Sequence, residues 1–246
     1  EIENKGIELS IGLQLVDTKD WNVRLNASYN TNHNKVLSIG NAVPFAIGGF
    51  SSRTVQTVVA EGEPVGFIRG YKAVLNPDNS LKEILPLQNL GSTLPTAYGN
   101  FSLSASYKNL SFMLSGDYQY GAYVHSFDRQ FRFSKGLKDD AIPEKALEGL
   151  DQGANWLNFT NFFVEKSDFL KIRNIGIAYD YKPKKYLKSV NLAFNVYNPF
   201  AFTASSVDPE AALAGARSQG AVAVGGLNYS SYSTPRQYVG TIRVSF

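Results

Sequence analysis

The amino-acid sequence predicts an all-β fold, an antiparallel up-and-down transmembrane β-barrel to which this chain contributes about seven strands. Apolar and polar residues alternate through long segments, the apolar positions of the regular segments carry no charge, and short connections alternate with long ones. Successive side chains of a strand point to opposite faces of a sheet, so each segment has an apolar face and a polar face. A strand that crosses a bilayer needs about 9–11 residues, which these segments supply.

The predicted strands follow one another along the chain and are separated by turn or loop sequences. Their approximate bounds are 5–16, 20–33, 99–108, 110–124, 168–182, 187–200 and 236–246. Six strands alternate regularly, with apolar positions in steps of two from Ile7 to Leu15, Trp21 to Tyr29, Phe101 to Tyr107, Phe112 to Tyr120, Val190 to Val196 and Tyr238 to Phe246. Most intervening positions are polar or charged, as strands between lipid and a wet lumen require.

The fifth segment, residues 168–182, is less regular than the others. Its positions from Ile175 to Tyr181 share one apolar face, but Lys171 and Arg173 have the same parity nearer the start of the segment. Either a β-bulge shifts the alternation there, or the two charges lie beyond the apolar layer. The sequence is compatible with both arrangements.

A soluble antiparallel sandwich is the main alternative fold, because its strands also alternate. The length of the segments favours the membrane barrel, and so do the aromatic residues at segment ends, which are typical of membrane interfaces. The connections alternate between short ones (17–20, 108–109 and 183–188) and long ones (34–98, 125–167 and 203–235). Up-and-down order then places the long connections together, predicted to be extracellular, and the C-terminus on the periplasmic side.

This order has two consequences for the completeness of the barrel. It gives an odd number of strands and starts the chain outside the cell, whereas bacterial single-chain barrels have even strand numbers. An open sheet would also leave unpaired strand edges in lipid. We therefore expect the chain to be the C-terminal part of a longer barrel, in which the first strand pairs with a strand outside this sequence.

The composition excludes several classes of function. The 246 residues are 43% hydrophobic and 13% aromatic but only 18% charged, and the net charge of +3 is too small to indicate a nucleic-acid partner. The absence of Cys excludes disulfides and Cys-ligated metals, and two His residues disfavour a His-based metal site. No apolar run approaches the 18 residues of a membrane helix.

Short motifs along the whole chain resemble those of SusC/RagA-like TonB-dependent outer-membrane transporters. They occur at residues 4–9 (NKGIEL), 61–71 (EGEPVGFIRGY), 95–100 (PTAYGN), 106–110 (SYKNL), 169–175 (FLKIRNI), 197–200 (YNPF), 208–210 (DPE), 235–236 and 244–246 (VSF). The FLKIRNI match is the most specific. The YNPF segment departs from the family's QNLF, because Pro199 stands where the family has Leu.

The resemblance implies a barrel of about 22 strands around a plug domain, of which this chain would form the last seven. It implies active import of a large nutrient, a glycan or a peptide, across the outer membrane of a Gram-negative bacterium. The implied partners are membrane lipid, a SusD-like surface lipoprotein that acts as a lid, and TonB with ExbB and ExbD through a plug region outside this sequence. A dimer of transporter-lid pairs is also implied, whereas a cofactor is not.

Two sets of residues are candidates for binding. The polar face is predicted to line the lumen or contact the plug through Glu8, Arg24, Asn26, Asp117, Gln119, Asn191, Asn195 and Arg243. Outer-loop aromatic residues are predicted to contact substrate or lid, namely Tyr71, Tyr123, Phe127, Phe131, Trp156, Phe159, Tyr229 and Tyr232. The alternatives are that any polar residue suits a wet lumen and that the aromatic residues only pack the loops.

Catalysis is not predicted. His33 and His125 lie at the starts of outer loops, and no spacing gives either one a partner for nucleophilic chemistry. Loop carboxylates at Asp139, Asp140, Asp151, Asp208 and Glu210 could bind calcium, although no EF-hand pattern is present and solvated loop charge is favoured. A passive porin, a soluble β-sandwich binding module and an outer-membrane hydrolase remain as alternative functions.

Overall fold

The computed structural model describes residues 1–49, 55–183, 187–208, 210, 226–229 and 232–246. Part of the predicted outer loop 203–235 therefore lies outside the described residues. The strands are β1 (Ile2–Lys5), β2 (Glu8–Asp17), β3 (Trp21–Thr31), β4 (His33–Val36), β5 (Phe45–Gly49), β6 (Gln56–Val59), β7 (Phe67–Leu75), β8 (Leu81–Gly91), β9 (Ala97–Tyr107), β10 (Leu110–Tyr120), β11 (Tyr123–Ser126), β12 (Val164–Lys166), β13 (Phe169–Tyr181), β14 (Ser189–Thr203), β15 (Leu227–Asn228) and β16 (Gln237–Ser245). The helices are α1 (Phe127–Ser134), α2 (Gln152–Asn155) and two 3-10 helices, Glu144–Leu147 and Trp156–Phe163.

Seven strands form one antiparallel sheet in the order β2-β3-β9-β10-β13-β14-β16. Each strand pairs with the next of the seven along the chain, which is up-and-down topology. The predicted all-β, up-and-down fold is therefore confirmed. The seven strands form an open sheet, which is called the wall below. The short connections lie at one end of this sheet and the long connections lie at the other.

The register brings the aliphatic residues of neighbouring strands side by side. One row crosses the sheet through Leu13, Leu25, Leu103, Leu114, Ile175 and Val196, each paired with the next. The adjacent row on the opposite face contains Asn26, Ser102, Ser115 and Asn174. The alternation predicted from the sequence thus becomes one continuous apolar face and one continuous polar face.

The apolar face is exposed. Among the predicted apolar positions of the six regular strands only Gly116 is buried, and Ile11 and Ile242 are 56% and 73% exposed. A Cβ at Gly116 would lie 2.5 Å from the Phe101 ring, which covers this glycine. Within the described ranges no second sheet covers the apolar face, which contradicts the sandwich alternative.

A β-bulge at Arg173 explains the irregular fifth strand. Ser115 of β10 pairs with Asn174, but the next residue, Gly116, pairs with Ile172, so that Arg173 is the extra residue. The bulge reverses the alternation and places Lys171 opposite Asp117 on the polar face. Of the two arrangements that the sequence allows, the bulge is the one present.

Several strands end earlier than predicted because local geometry interrupts them. The predicted strand 110–124 ends at Tyr120, since Gly121 has a φ of 86° and β11 belongs to a different sheet. The predicted strand 5–16 is divided at Gly6, where a Cβ would lie 2.0 Å from the Thr31 carbonyl oxygen. The strand β1, which overlaps the predicted strand only at Lys5, pairs with β4 in a separate ribbon, and this ribbon also shortens the predicted strand 20–33.

The long connections fold into a second structural layer with its own hydrophobic cores. It is called the outer layer below, because these connections are predicted to be extracellular. Strands β5 to β8 form a four-stranded sheet, and β11 lies between β12 and β15 in a three-stranded sheet. The largest buried cluster contains Phe133, Phe159 and Phe163, packed by the partly buried Trp156. Among the described residues, no helix has the length and apolar character needed to span a membrane.

Candidate functional site

An ionic cluster lies on the polar face of the wall, near the end that carries the long connections. Lys171 Nζ lies 2.5 Å from Asp208 Oδ1 and 2.6 Å from Glu210 Oε2. The Lys171 side chain is only 5% exposed and that of Asp208 only 9% exposed. A buried ammonium needs such partners, because an uncompensated charge away from water is strongly unfavourable.

Arg173 extends the cluster to the neighbouring strand. Its guanidinium donates from Nε and Nη2 to the two carboxylate oxygens of Asp117, at 2.5 and 2.7 Å. It also forms an ion pair with Glu210, to which Nη1 donates at 2.7 Å. A bidentate contact between an arginine and a carboxylate fixes the relative orientation of the two groups and also neutralises their charges. The bulge, the loop after β14 and β10 are thereby joined.

The carboxylates of the loop are ionised at neutral pH. Burial raises the pKa of Asp208, but the hydrogen bonds that it accepts from Lys171 and from the Glu210 and Thr234 amides lower that pKa below its ordinary value. Burial likewise raises the pKa of Glu210, but the hydrogen bonds and the attraction from Arg173 and Lys171 lower it more, so the pKa lies below its ordinary value. The stability that these contacts contribute is present above about pH 4 and is lost as the pH falls through the folded-state pKa values.

A cavity of about 700 Å³ adjoins the cluster on the same face. Asp117 and Gln119 line it from the wall, Tyr123 from the strand that follows, and Glu210 from the loop after β14. Gln119 donates to the carbonyl oxygen and hydroxyl of Ser167, so the loop that bounds the cavity is tied to β10. The cavity therefore unites two predicted lumen residues and one predicted loop aromatic.

The structure places the eight predicted lumen residues on one face of the sheet. Asn26 donates to Ser102, Asn191 donates to Asp180, and Asn195 accepts from Asn174, so these amides bond across strands. Glu8, Arg24 and Arg243 are exposed, and within the described part of the chain they form no ion pair. A plug contact for Arg24 and Arg243 stays a prediction, whereas Asp117 already has a cationic partner in Arg173.

A second ion pair network joins two outer connections. Arg129 of α1 donates from Nε to Asp139 Oδ2 at 2.9 Å and forms an ion pair with Glu165 of β12. Glu165 in turn accepts from the amide of Ser206 at 2.5 Å and from its hydroxyl at 2.8 Å. The loop after β14 is therefore attached to the 125–167 connection as well as to the wall.

The prediction that loop carboxylates are solvated is wrong for Asp208 and Glu210. Both belong to the ionic cluster, because the bulge turns Lys171 towards them. Asp139 is likewise engaged, by Arg129. Among the residues that the structure covers, no group of three acidic or histidine side chains could hold a metal ion.

The predicted aromatic contacts divide into buried and exposed residues. Phe159 is fully buried and Phe127 is 8% exposed, so the prediction that these two rings contact substrate or lid is wrong, since both rings fill loop cores. The remaining rings are half-buried (Tyr71, Tyr123 and Trp156) or exposed (Phe131, Tyr229 and Tyr232). For these six, contact with substrate or lid stays a prediction.

His125 lies buried in the outer layer. Gln130 donates from Nε2 to the hydroxyl of Thr160, so its Oε1 accepts from His125 Nε2 at 2.5 Å. His125 Nδ1 has no hydrogen-bond partner among the described residues. Burial lowers the pKa of His125 to about 4, and the hydrogen bond to Gln130 offsets this only in part. A neutral, enclosed imidazole of this kind packs the loops.

This geometry predicts an acid-sensitive outer layer. Between pH 6.5 and about 4 the unfolded layer binds a proton that the folded layer excludes. We expect its stability to be complete above pH 6.5, to fall by up to about 1.4 kcal/mol per pH unit between pH 6.5 and about 4, and to level off below that. Amide exchange of β11 and β12 across this range measures it in the full-length protein. His125→Asn should remove the dependence and exposed His33→Asn should keep it, whereas unchanged acid sensitivity in His125→Asn contradicts the assignment.

Sequence comparison shows which known proteins resemble the chain. No protein-family model matches it. Two proteins of Formosa agariphila, TonB-dependent receptor P26 and TonB-dependent receptor P3, are 24% and 23% identical to it over all of its length. The chain spans 29% of the length of each of these relatives.

Solved structures of RagAB share the fold of this chain. The RagAB peptide importer in its open-open state superposes with a TM-score of 0.70 at 20% identity, covering 100% of this chain and 29% of that one. The closed-closed state gives a TM-score of 0.71 at 20% identity, with 30% of that chain covered. The comparisons confirm the resemblance to SusC/RagA-like TonB-dependent receptors that the motifs indicate.

Proposed function

We propose that this chain, similar over its whole length to TonB-dependent receptors, is part of the barrel wall of an active importer in the bacterial outer membrane. One observation carries the proposal. The seven strands form a continuous sheet with an exposed, uncharged apolar face and a polar face that holds an ionic cluster and a cavity. The first face suits lipid, and the second suits a hydrated lumen.

The proposal includes an orientation, which the grouping of short and long connections at opposite ends of the sheet supports. In this orientation the long connections, with their separate sheets and cores, lie outside the cell, and the C-terminal end of β16 faces the periplasm. The short turns then lie at the periplasmic side, as is usual for outer-membrane barrels. Energy reaches the lumen through TonB with ExbB and ExbD, acting on a plug domain outside this sequence.

The cargo is a large nutrient, a peptide or an oligosaccharide. A peptide is the first class to test, because RagAB, which shares the fold, is a peptide importer. A SusD-like lipoprotein closes the outer mouth, and the complex is a dimer of transporter-lid pairs. The exposed rings of Phe131, Tyr229 and Tyr232 belong to the outer layer that such a lid would meet.

Uptake by cells that carry the full-length protein tests the proposal. Isotope-labelled peptide and oligosaccharide mixtures are supplied to wild-type cells and to cells that lack the gene, with and without a protonophore. We expect uptake of one mixture to fall at least tenfold on deletion and equally on addition of the protonophore, since active import needs the proton gradient.

Two outcomes would contradict it. Uptake that depends on the gene but ignores the protonophore identifies a passive porin. Purification of the full-length protein from the soluble fraction without detergent identifies a soluble binding module. Co-purification of a lipoprotein in mild detergent, compared with a strain that lacks the transporter gene, tests the lid separately from the energy coupling.

A further inference from the structure

We propose that residues 205–208 together with Glu210, here called the strap, form a movable closing element of the lumen cavity that is latched to the wall by Lys171 and Arg173. The proposal goes beyond the proposed function and uses from it only the assignment of the polar face to the lumen.

The strap is held by side chains and not by the sheet. The last main-chain hydrogen bond before the strap, among the described residues, joins the Ala204 amide to the carbonyl oxygen of Asp168, the residue before β13, at 2.9 Å. Beyond that point the contacts with the wall are the ion pairs of Asp208 and Glu210. Outside the wall, Ser206 donates to Glu165 of the outer layer and Asp208 accepts from the Thr234 amide, again through side-chain oxygens of the acceptors. The strap can therefore leave the wall without breaking the hydrogen-bond ladder.

The two halves of the latch differ in rigidity. Lys171 and Arg173 belong to β13, which is paired on both sides through most of its length. Asp117, the second partner of Arg173, belongs to the adjacent β10. The cations are thus fixed to the wall, and the carboxylates of the strap are the groups that can move.

Movement of the strap would change the boundary of the lumen cavity. Glu210 lines the cavity of about 700 Å³ together with Asp117. A smaller cavity of about 200 Å³ separates the strap from the wall, between Val207 and Asp208 on one side and Lys171 and Phe200 on the other. Release of the strap would remove Glu210 from the boundary of the first cavity and join it to the second.

Cysteine accessibility in the full-length protein tests the proposal without knowledge of the cargo. Ser205 is 8% exposed in the latched strap and Ser126 is fully buried in the outer layer, so Ser205→Cys and Ser126→Cys form a matched pair. A maleimide-polyethylene glycol reagent is added to outer-membrane vesicles. A movable strap predicts labelling of Ser205→Cys at least tenfold faster than that of Ser126→Cys.

Neutralising the latch should accelerate labelling further. In the Ser205→Cys background, D208N/E210Q is expected to raise the labelling rate at least tenfold. The control K138Q/E144Q removes a fully solvated ion pair of another outer loop and should leave the rate unchanged. Heat-modifiable migration of the barrel in SDS gels confirms that each variant has folded. If the double variant does not fold, D208N alone is used, with an expected rise of at least threefold.

Two results would overturn the proposal. Equal labelling of Ser205→Cys and Ser126→Cys would show that the strap does not move. An unchanged rate in folded D208N/E210Q, or in D208N where that variant is used, would show that the ion pairs do not hold it. Both results are independent of whether the protein imports peptides, oligosaccharides or neither.

Discussion

Replacing Lys171 by alanine is expected to lower the free energy of unfolding by about 3–5 kcal/mol. The substitution leaves Asp208, whose side chain is 9% exposed, as a buried carboxylate without its ammonium partner. Glu210 retains its ion pair with Arg173, so most of the lost stability comes from the unpaired Asp208. Equilibrium urea unfolding of the full-length protein in detergent micelles measures the effect.

The matched control is Lys138→Ala. Lys138 pairs with Glu144, but both side chains are 80% exposed, so we expect a change of less than about 1 kcal/mol. The double variant K171A/D208N should lose less than the sum of the two single losses, because both remove the same contact. Additive losses, or a Lys171→Ala effect as small as that of Lys138→Ala, would show that the cluster is effectively solvated.

Replacing Phe159 by alanine is expected to destabilise the outer layer by about 3–5 kcal/mol. The ring is fully buried and lies 5.8 Å from that of Phe133, in the cluster that packs β7 against α1 and the 3-10 helix Trp156–Phe163. Hydrogen exchange of the full-length protein should show faster exchange in these elements, with the amides of the seven-stranded wall unchanged.

Tyr232→Ala is the control for this prediction, because that side chain is 94% exposed. It should leave exchange of the outer layer unchanged. Faster exchange throughout the wall in Phe159→Ala would show that the loops and the barrel unfold as one unit. Unchanged exchange everywhere would show that the cluster does not stabilise the loops.

The wall could be predicted because its signal is local. Alternation in steps of two is a property of each strand, and the row from Leu13 to Val196 needs only that neighbouring strands pair in register. The ends of the strands are harder to predict from the sequence. They depend on single residues such as Gly6 and Gly121, whose effect comes from the backbone conformation or the approach of another strand.

The ionic cluster could not be predicted, although its residues lie in two recognised motifs. Lys171 and Asp208 are 37 residues apart, and they meet only because the bulge at Arg173 turns Lys171 to the polar face. The sequence signal for this was the misplaced charge in the FLKIRNI segment. A charge on an apolar parity indicates a bulge, and a carboxylate pair in a following loop supplies its partner.

The outer layer is the part of the fold that the sequence predicts least well. Its strands are short, and a ring in a loop has the same sequence signature whether it packs inward or faces outward. Phe159 and Tyr232 illustrate this, since both are loop aromatics and one is fully buried while the other is 94% exposed. Burial here depends on how separate connections pack on each other, which no local pattern encodes.

The contact of the apolar face with lipid is the central claim, and depth-resolved quenching tests it most directly. An environment-sensitive fluorophore is attached to Leu25→Cys or to Asn26→Cys, neighbours on opposite faces of β3, in the full-length protein in liposomes. Lipids with a spin label on the acyl chain should quench the fluorophore at residue 25 strongly and the one at residue 26 hardly at all. Equal quenching at both positions, or quenching at neither, would contradict the account.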